Sequence, residues 1–245
     1  MIILRFLLII CGLFLTAFAA SAEGIEHKLF DELLRAHVKN GQVDYPAFQN
    51  NPAFDAYIEQ IAKPVTLSGK NEKLAYYINA YNALAIKGII DGYCPGGALS
   101  RTNYFFIKKW DVAGQSLTLD GLEKTHLKPV DSRIHVAVVC ASKSCPKLIS
   151  EAFTAAKLDE ALERNARSFV NDGGKNIFDK QQKAARISQI FEWHEKDFVR
   201  EAGSVQKWLA KYVSDPEISK DLAAGAYKVE HLKYDWSLNG TSPKK

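Results

Sequence analysis

Between Asn71 and Gly92 lies a segment whose helix would be apolar on nearly every face. Leu74, Tyr77, Ile78, Tyr81, Leu84, Ala85 and Ile89 recur at helical spacing, and Ala75, Ala80, Ala83 and Ile86 fill the remaining sides. Such a helix is buried on all sides, so the rest of the chain has to wrap around it. Asn79 and Asn82 sit on it one turn apart and project from neighbouring positions. A buried amide is costly unless it is hydrogen-bonded. Both are therefore expected to hold something, either the backbone of a neighbouring loop or a ligand, and both are candidate binding residues.

The flanking sequence supplies the cover. Helical spacing predicts a first helix from Ile25 to His37, ended by Lys39-Asn40-Gly41-Gln42, and a second from Ala47 to Ala62 that Pro64 stops. Trp110 to Leu119 reads as a hairpin turning at Ala113-Gly114. Asp120 suits an N-cap, with Glu123 in capping-box position for a short helix to Leu127. Arg133 to Cys140 is β-branched and apolar on both faces, the pattern of a buried central strand. Pro146 favours the first turn of a helix, which would put Cys145 near its N-cap. Further helices are expected at Lys157–Asp172, Trp193–Glu201 and Ser204–Val213, a short strand at Ala185–Ser188, and an extended closing tail from Tyr227 to Leu238. The expected fold is α+β: a mostly helical single domain packed on a small mixed or antiparallel sheet containing Ile134–Cys140.

The chain opens as a secretory leader does. Arg5 is followed by an apolar run from Phe6 to Phe18 and then by Ala19-Ala20-Ser21-Ala22 ahead of Glu23. The run is shorter than the roughly 20 apolar residues a membrane span needs. Cleavage after Ala22 is expected to leave residues 23–245, periplasmic or secreted, with no transmembrane segment. Ile10 before Cys11 argues against a lipid-attachment site, which wants a small residue there. Losing Arg5 lowers the formal net charge of +4 by one. The remaining charge is spread along the chain, so no nucleic-acid partner is expected. The partner is instead an envelope substrate or protein. Cys94, Cys140 and Cys145 survive cleavage into a compartment that permits disulfides.

Five stretches together resemble the domain of unknown function 547 family. Tyr76-Tyr77-Ile78-Asn79-Ala80-Tyr81-Asn82-Ala83 is similar to its W-I-N-x-Y-N-A signature. Ser116 to Glu123 is similar to its L-x-D-D-I-E-H stretch. Arg133-Ile134-His135 through Cys140, Cys145-Pro146 and Leu148 is similar to R-I-H-F-A-L-x-C-x-S-x-S-C-P-x-L. Ile190-Phe191-Glu192-Trp193 with Asp197-Phe198, and Tyr234 to Asn239, resemble later markers. The resemblance covers roughly Val43 to Asn239. Lys124 stands where the family usually has histidine, and His194 where it often has tyrosine. The family brings no established reaction, so the resemblance supports the fold and the choice of residues only.

Cys145 carries the sharpest chemistry. A helix N-terminus lowers a cysteine pKa, and a thiolate beside an imidazole held by a carboxylate is the arrangement of thiol hydrolases and acyl transferases. His135 is the imidazole and Glu123 the carboxylate; peptide-like or amide bonds of the cell envelope are the expected substrate. If the strand is regular, Cys140 points away from His135, which favours Cys145 as nucleophile. The alternative is a structural Cys140–Cys145 disulfide in a non-catalytic binding domain. The spacing is not C-x-x-C, which argues against a redox pair. A zinc site from His135, Cys140, Cys145 and Glu123 or His126 lacks the tight ligand spacings of such sites, so no metal or cofactor is expected. His27, His37, His194 and His231 fall to surface or packing roles.

Overall fold

The computed structural model describes residues 26–244; the leader and Cys11 lie outside them. Helix α1 (Lys28–His37) leads into a short antiparallel pair, β1 (Val38–Lys39) and β2 (Gln42–Asp44). The expected second helix is two: α2 (Tyr45–Phe48) and α3 (Pro52–Ala62), separated because Asn51 caps α3 by accepting from the Ala53 and Phe54 amides. Helix α4 (Gly69–Ile90) is the buried helix that its sequence requires, with everything from Leu74 to Ile86 buried. The fold is α+β, mostly helical, with three small sheets among the described residues.

After α4 come α5 (Ala98–Thr102), a π-helical turn at Asn103–Ile107, and the hairpin β3 (Trp110–Val112) and β4 (Gln115–Leu117). The hairpin turns at Ala113 and Gly114, both with positive φ, the requirement of a tight two-residue turn. It is docked on the end of α3, where the Ile61 and Ala62 carbonyls accept from Ala113 and Gly114. The next helix, α6 (Leu119–Leu122), is capped by Thr118, which accepts from the Gly121 amide, and not by Asp120. Asp120 pairs with Lys124 at 2.7 Å. Glu123, freed from a capping box, opens a π-helical turn over Glu123–Leu127 and turns inward.

The expected central strand is absent. Ser132–Val136 is a 3-10 helix, and the chain to Cys140 joins no sheet. Asp131 caps the turn at the Arg133 amide, and the Ile134 carbonyl accepts from both Ala137 and Val138. The next backbone groups go to Asn82: its Nδ2 donates to the Ala137 carbonyl at 3.0 Å, and its Oδ1 accepts from the Val139 amide at 2.9 Å. With those groups satisfied by one buried amide, the segment needs no partner strand. Asn79 grips a second loop in the same way, donating to the Phe153 carbonyl at 2.8 Å and accepting from its amide at 2.9 Å. A single helix thus fixes two irregular segments.

No helix follows Cys145-Pro146 either. Lys143 and Ser144 donate to the Ser237 and Asp235 carbonyls, and Cys145 to Ser142. Lys175 Nζ donates to the carbonyls of Lys143 and Cys145. These ties hold the segment as a loop. After a 3-10 turn at Ala155–Lys157 comes α7 (Leu158–Val170), then β5 (Ile177–Asp179) and β6 (Ala184–Ile187), then α8 (Ile190–Trp193), α9 (Glu195–Ala202), α10 (Val205–Tyr212) and α11 (Pro216–Ala223). Strand β7 (Lys228–His231) runs parallel to β6, and β8 (Gly240–Thr241) parallel to β2. Asn239 joins the tail to the body, donating to the Ala141 carbonyl and accepting from Tyr45 Oη at 2.6 Å. No helix among the described residues is long and apolar enough to cross a membrane.

Two apolar clusters result, one around α4 and one around Phe191, Phe198 and Trp208. Residues 132–146 and the tail pack between them.

Candidate functional site

A cavity of about 180 Å³ opens at that seam, lined by Glu123, His135, His194, the two cysteines and aromatic side chains. His135 is its buried centre. The 3-10 turn points the ring at α9, where Nε2 bonds Asp197 Oδ2 at 2.9 Å. Arg200 Nη1 holds the other Asp197 oxygen at 2.6 Å. Trp208 Nε1 donates to Ser132 Oγ at 2.8 Å, and the Ser132 amide to Glu201, which ties the turn to α9 and α10.

The other ring edge faces a different carboxylate. His135 Nδ1 lies 3.5 Å from Glu123 Oε1, too far for a good hydrogen bond. Lys128 Nζ is also 3.5 Å from that oxygen. His194 stacks on His135 with ring centroids 3.8 Å apart and 10° between planes. Glu123 Oε1, His135 Nδ1 and His194 Nδ1 are all buried without a hydrogen-bond partner. Each unpaired buried polar atom costs about 1–3 kcal/mol. Three in one place are an arrangement that folding alone does not favour.

Electrostatics sets their protonation states. Burial pushes the Glu123 carboxyl up, but the neighbouring His135, His194 and Lys128 outweigh it and hold it down at about 2. Burial, reinforced by His135, drops His194 to about 3, so its ring is neutral at neutral pH. Burial raises Asp197, but the bonds from His135 and Arg200 prevail and keep it below the usual range. An ionised carboxylate and a neutral imidazole whose Nδ1 has no partner both line the cavity.

The Cys140–Cys145 disulfide, with Cα atoms 6.1 Å apart, lines the same cavity. Cys140 Sγ also lies 3.0 Å from Ser142 Oγ and 3.2 Å from Tyr234 Oη. The strand-parity expectation fails, because with a 3-10 turn in place of a strand His135 and Cys140 line the same cavity. The mouth is aromatic. Trp193 stacks on Trp236 at 5.6 Å, both touch Tyr234, and Arg101 lies 4.4 Å over the Trp236 ring. The tail is therefore a clasp on the loop at Ser144 and a wall of the cavity at once.

Sequence reasoning brings Glu123, His135, Cys140 and Cys145 together here. Asn79 and Asn82 do not line the cavity; both amides are engaged with backbone. His126 stacks on Tyr77 at 3.9 Å, away from the cluster. His194, assigned from sequence to the surface or packing, is instead part of the site. Asp197 enters the sequence reading only as part of a family marker. His194, Asp197 and Arg200 are spaced one helical turn apart, which groups them on one face without saying what that face meets. A larger groove of about 1060 Å³ beside α1 is lined in part by charges that pair with one another, such as Asp31 with Arg35 and Glu151 with Arg164.

Residues 64–170 match the family described as "Protein of unknown function, DUF547". This segment belongs to the DUF547 family. The DUF547 match contains Asn79, Asn82, Glu123, His135, Cys140 and Cys145; His194, Asp197 and the aromatic tail lie beyond it. Comparison with curated proteins and with solved structures gives no match.

A stability measurement checks that His194 strains the fold. His194→Phe keeps a ring against His135 and removes the orphaned nitrogen. It is expected to raise the stability of the protein by about 1 kcal/mol, read by urea denaturation at pH 7. A loss of stability would mean that His194 is satisfied in a way the structure does not reveal.

Proposed function

We propose that the protein is an exported hydrolase of amide or ester bonds in the cell envelope, working through Glu123, His135 and His194 and not through a cysteine thiol. The observation that carries this reading is the group of three buried, unpartnered polar atoms opening into one cavity. Perturbed ionisable groups gathered in a cleft are characteristic of working sites. The cluster suits activation of water. Water adds to the carbonyl carbon and gives up a proton to the site. The carbon–nitrogen or carbon–oxygen bond then breaks, and the leaving atom takes a proton, giving an acid and an amine or alcohol. Asp197 is a positioning residue that orients His135. The cavity is smaller than sites that enclose a whole small molecule, which run about 300–1,000 Å³. It suits the reacting part of a larger substrate whose remainder rests on the aromatic mouth. The leader pattern and the disulfide support export.

The disulfide also favours a second reading, a binding domain whose ligand sits on Trp193 and Trp236 without being cleaved. Oxidised protein treated with iodoacetamide and assayed on a panel of p-nitrophenyl esters and p-nitroanilides decides between them. Peptide mapping should find label on Cys94, which is exposed and free, and not on Cys140 or Cys145 until reductant is added. Turnover should survive the treatment. Turnover lost on alkylation would return the chemistry to a thiol, and binding without turnover would favour the second reading.

A further inference from the structure

We infer that Glu123 Oε1, His135 Nδ1 and His194 Nδ1 form a zinc site. One ligand atom from each of the three residues lies within 4.8 Å of the others. Zinc takes imidazole nitrogen and carboxylate oxygen at about 2.0–2.2 Å, and its catalytic sites use three protein ligands with a fourth position left for water. At 3.5 Å, the His135–Glu123 pair already has the spacing of two ligands on a common tetrahedral ion. The His194 ring, now stacked nearly parallel on His135, would turn out of the stack to aim a ring nitrogen at the ion. The fourth position then faces the cavity.

The bonding around His135 independently points to a cation. Its Nε2 is committed to Asp197, which leaves Nδ1 as the ring atom free to meet an ion. That atom and Glu123 Oε1 are both buried without a hydrogen-bond partner, 3.5 Å apart, and an ion between them would give a partner to each. The carboxylate behind a ligating histidine, here Asp197 with Arg200 behind it, is the arrangement that fixes tautomer and ring orientation at zinc centres. The ligands are spaced 123, 135 and 194, which explains why short-range zinc motifs do not reveal them. The chemistry of this ion rests on the hydrolase reading, for which it would supply the activated water; the binding itself does not.

Equilibrium dialysis of the chelator-stripped mature chain against zinc, followed by metal analysis, tests the site. One equivalent of zinc should be retained, and no magnesium, which prefers an all-oxygen shell. Glu123→Gln and His194→Ala should each weaken binding tenfold or more, and Asp197→Asn about tenfold. Because a variant can fail to fold, the wild-type protein supplies the second reading. On addition of zinc, the ring-nitrogen NMR signals of His135 and His194 should shift while that of exposed His231 stays. No zinc uptake, or uptake that shifts only His231, overturns the proposal. Zinc bound without turnover leaves the site standing and removes the hydrolase; turnover indifferent to chelation does the reverse.

Discussion

Asn82→Leu should destabilise the protein by about 3 kcal/mol or more and strip exchange protection from the Val139 amide. The side chain of Asn82 makes two hydrogen bonds to a segment with no strand partner. Leucine fills similar space but leaves the Ala137 carbonyl and the Val139 amide buried and unpaired, at roughly 1–3 kcal/mol each. The damage should reach His135, two residues before the clamp. Asn79→Leu should cost a similar amount but release Phe153, leaving the Glu123–His135 region protected. Native-state hydrogen exchange separates the two outcomes. Asn82→Asp, which retains an acceptor for Val139, should lose less than Asn82→Leu. If both leucine variants loosen the same loop, or if neither affects residues 137–139, the two-clamp description is wrong.

Glu123→Gln should lower turnover by at least about a hundredfold, in line with the roughly 10²–10⁴ contributed by a positioned acid or base. Its carboxylate has no structural partner shorter than the 3.5 Å contacts to Lys128 and His135. The amide is nearly isosteric, so the fold should persist, as circular dichroism and the melting curve would show. Asp197→Asn should have a smaller effect, because it acts through the orientation of His135. A Glu123→Gln protein that keeps its rate would remove the carboxylate from the chemistry.

What could be read in the sequence, and what could not, follows a physical division. Helix α4 was legible because an all-round apolar pattern has one stable solution, burial. Its asparagines were legible as buried groups that had to hold something, because an amide in that setting needs a partner. The hairpin at Ala113-Gly114 followed from local turn chemistry. Arg133–Cys140 misled because β-branched apolar residues suit any buried extended segment; what decides the matter is Asn82, fifty-odd residues away in the chain. Pro146 misled likewise, since the ties from Ser237, Asp235 and Lys175 that hold its loop are tertiary. Glu123 was read into a capping box, which Thr118 displaces by capping the helix in place of Asp120. His194 stayed hidden because nothing local distinguishes a surface histidine from one folded back against His135.

The most direct test of the central claim is the steady-state rate of the oxidised, iodoacetamide-treated protein beside its Glu123→Gln variant, on whichever chromogenic ester or anilide the panel shows to be turned over. The account predicts that the alkylated wild type keeps its full rate and that the variant falls at least about a hundredfold below it. Equal rates in the two proteins, or a wild type silenced by alkylation, would contradict it.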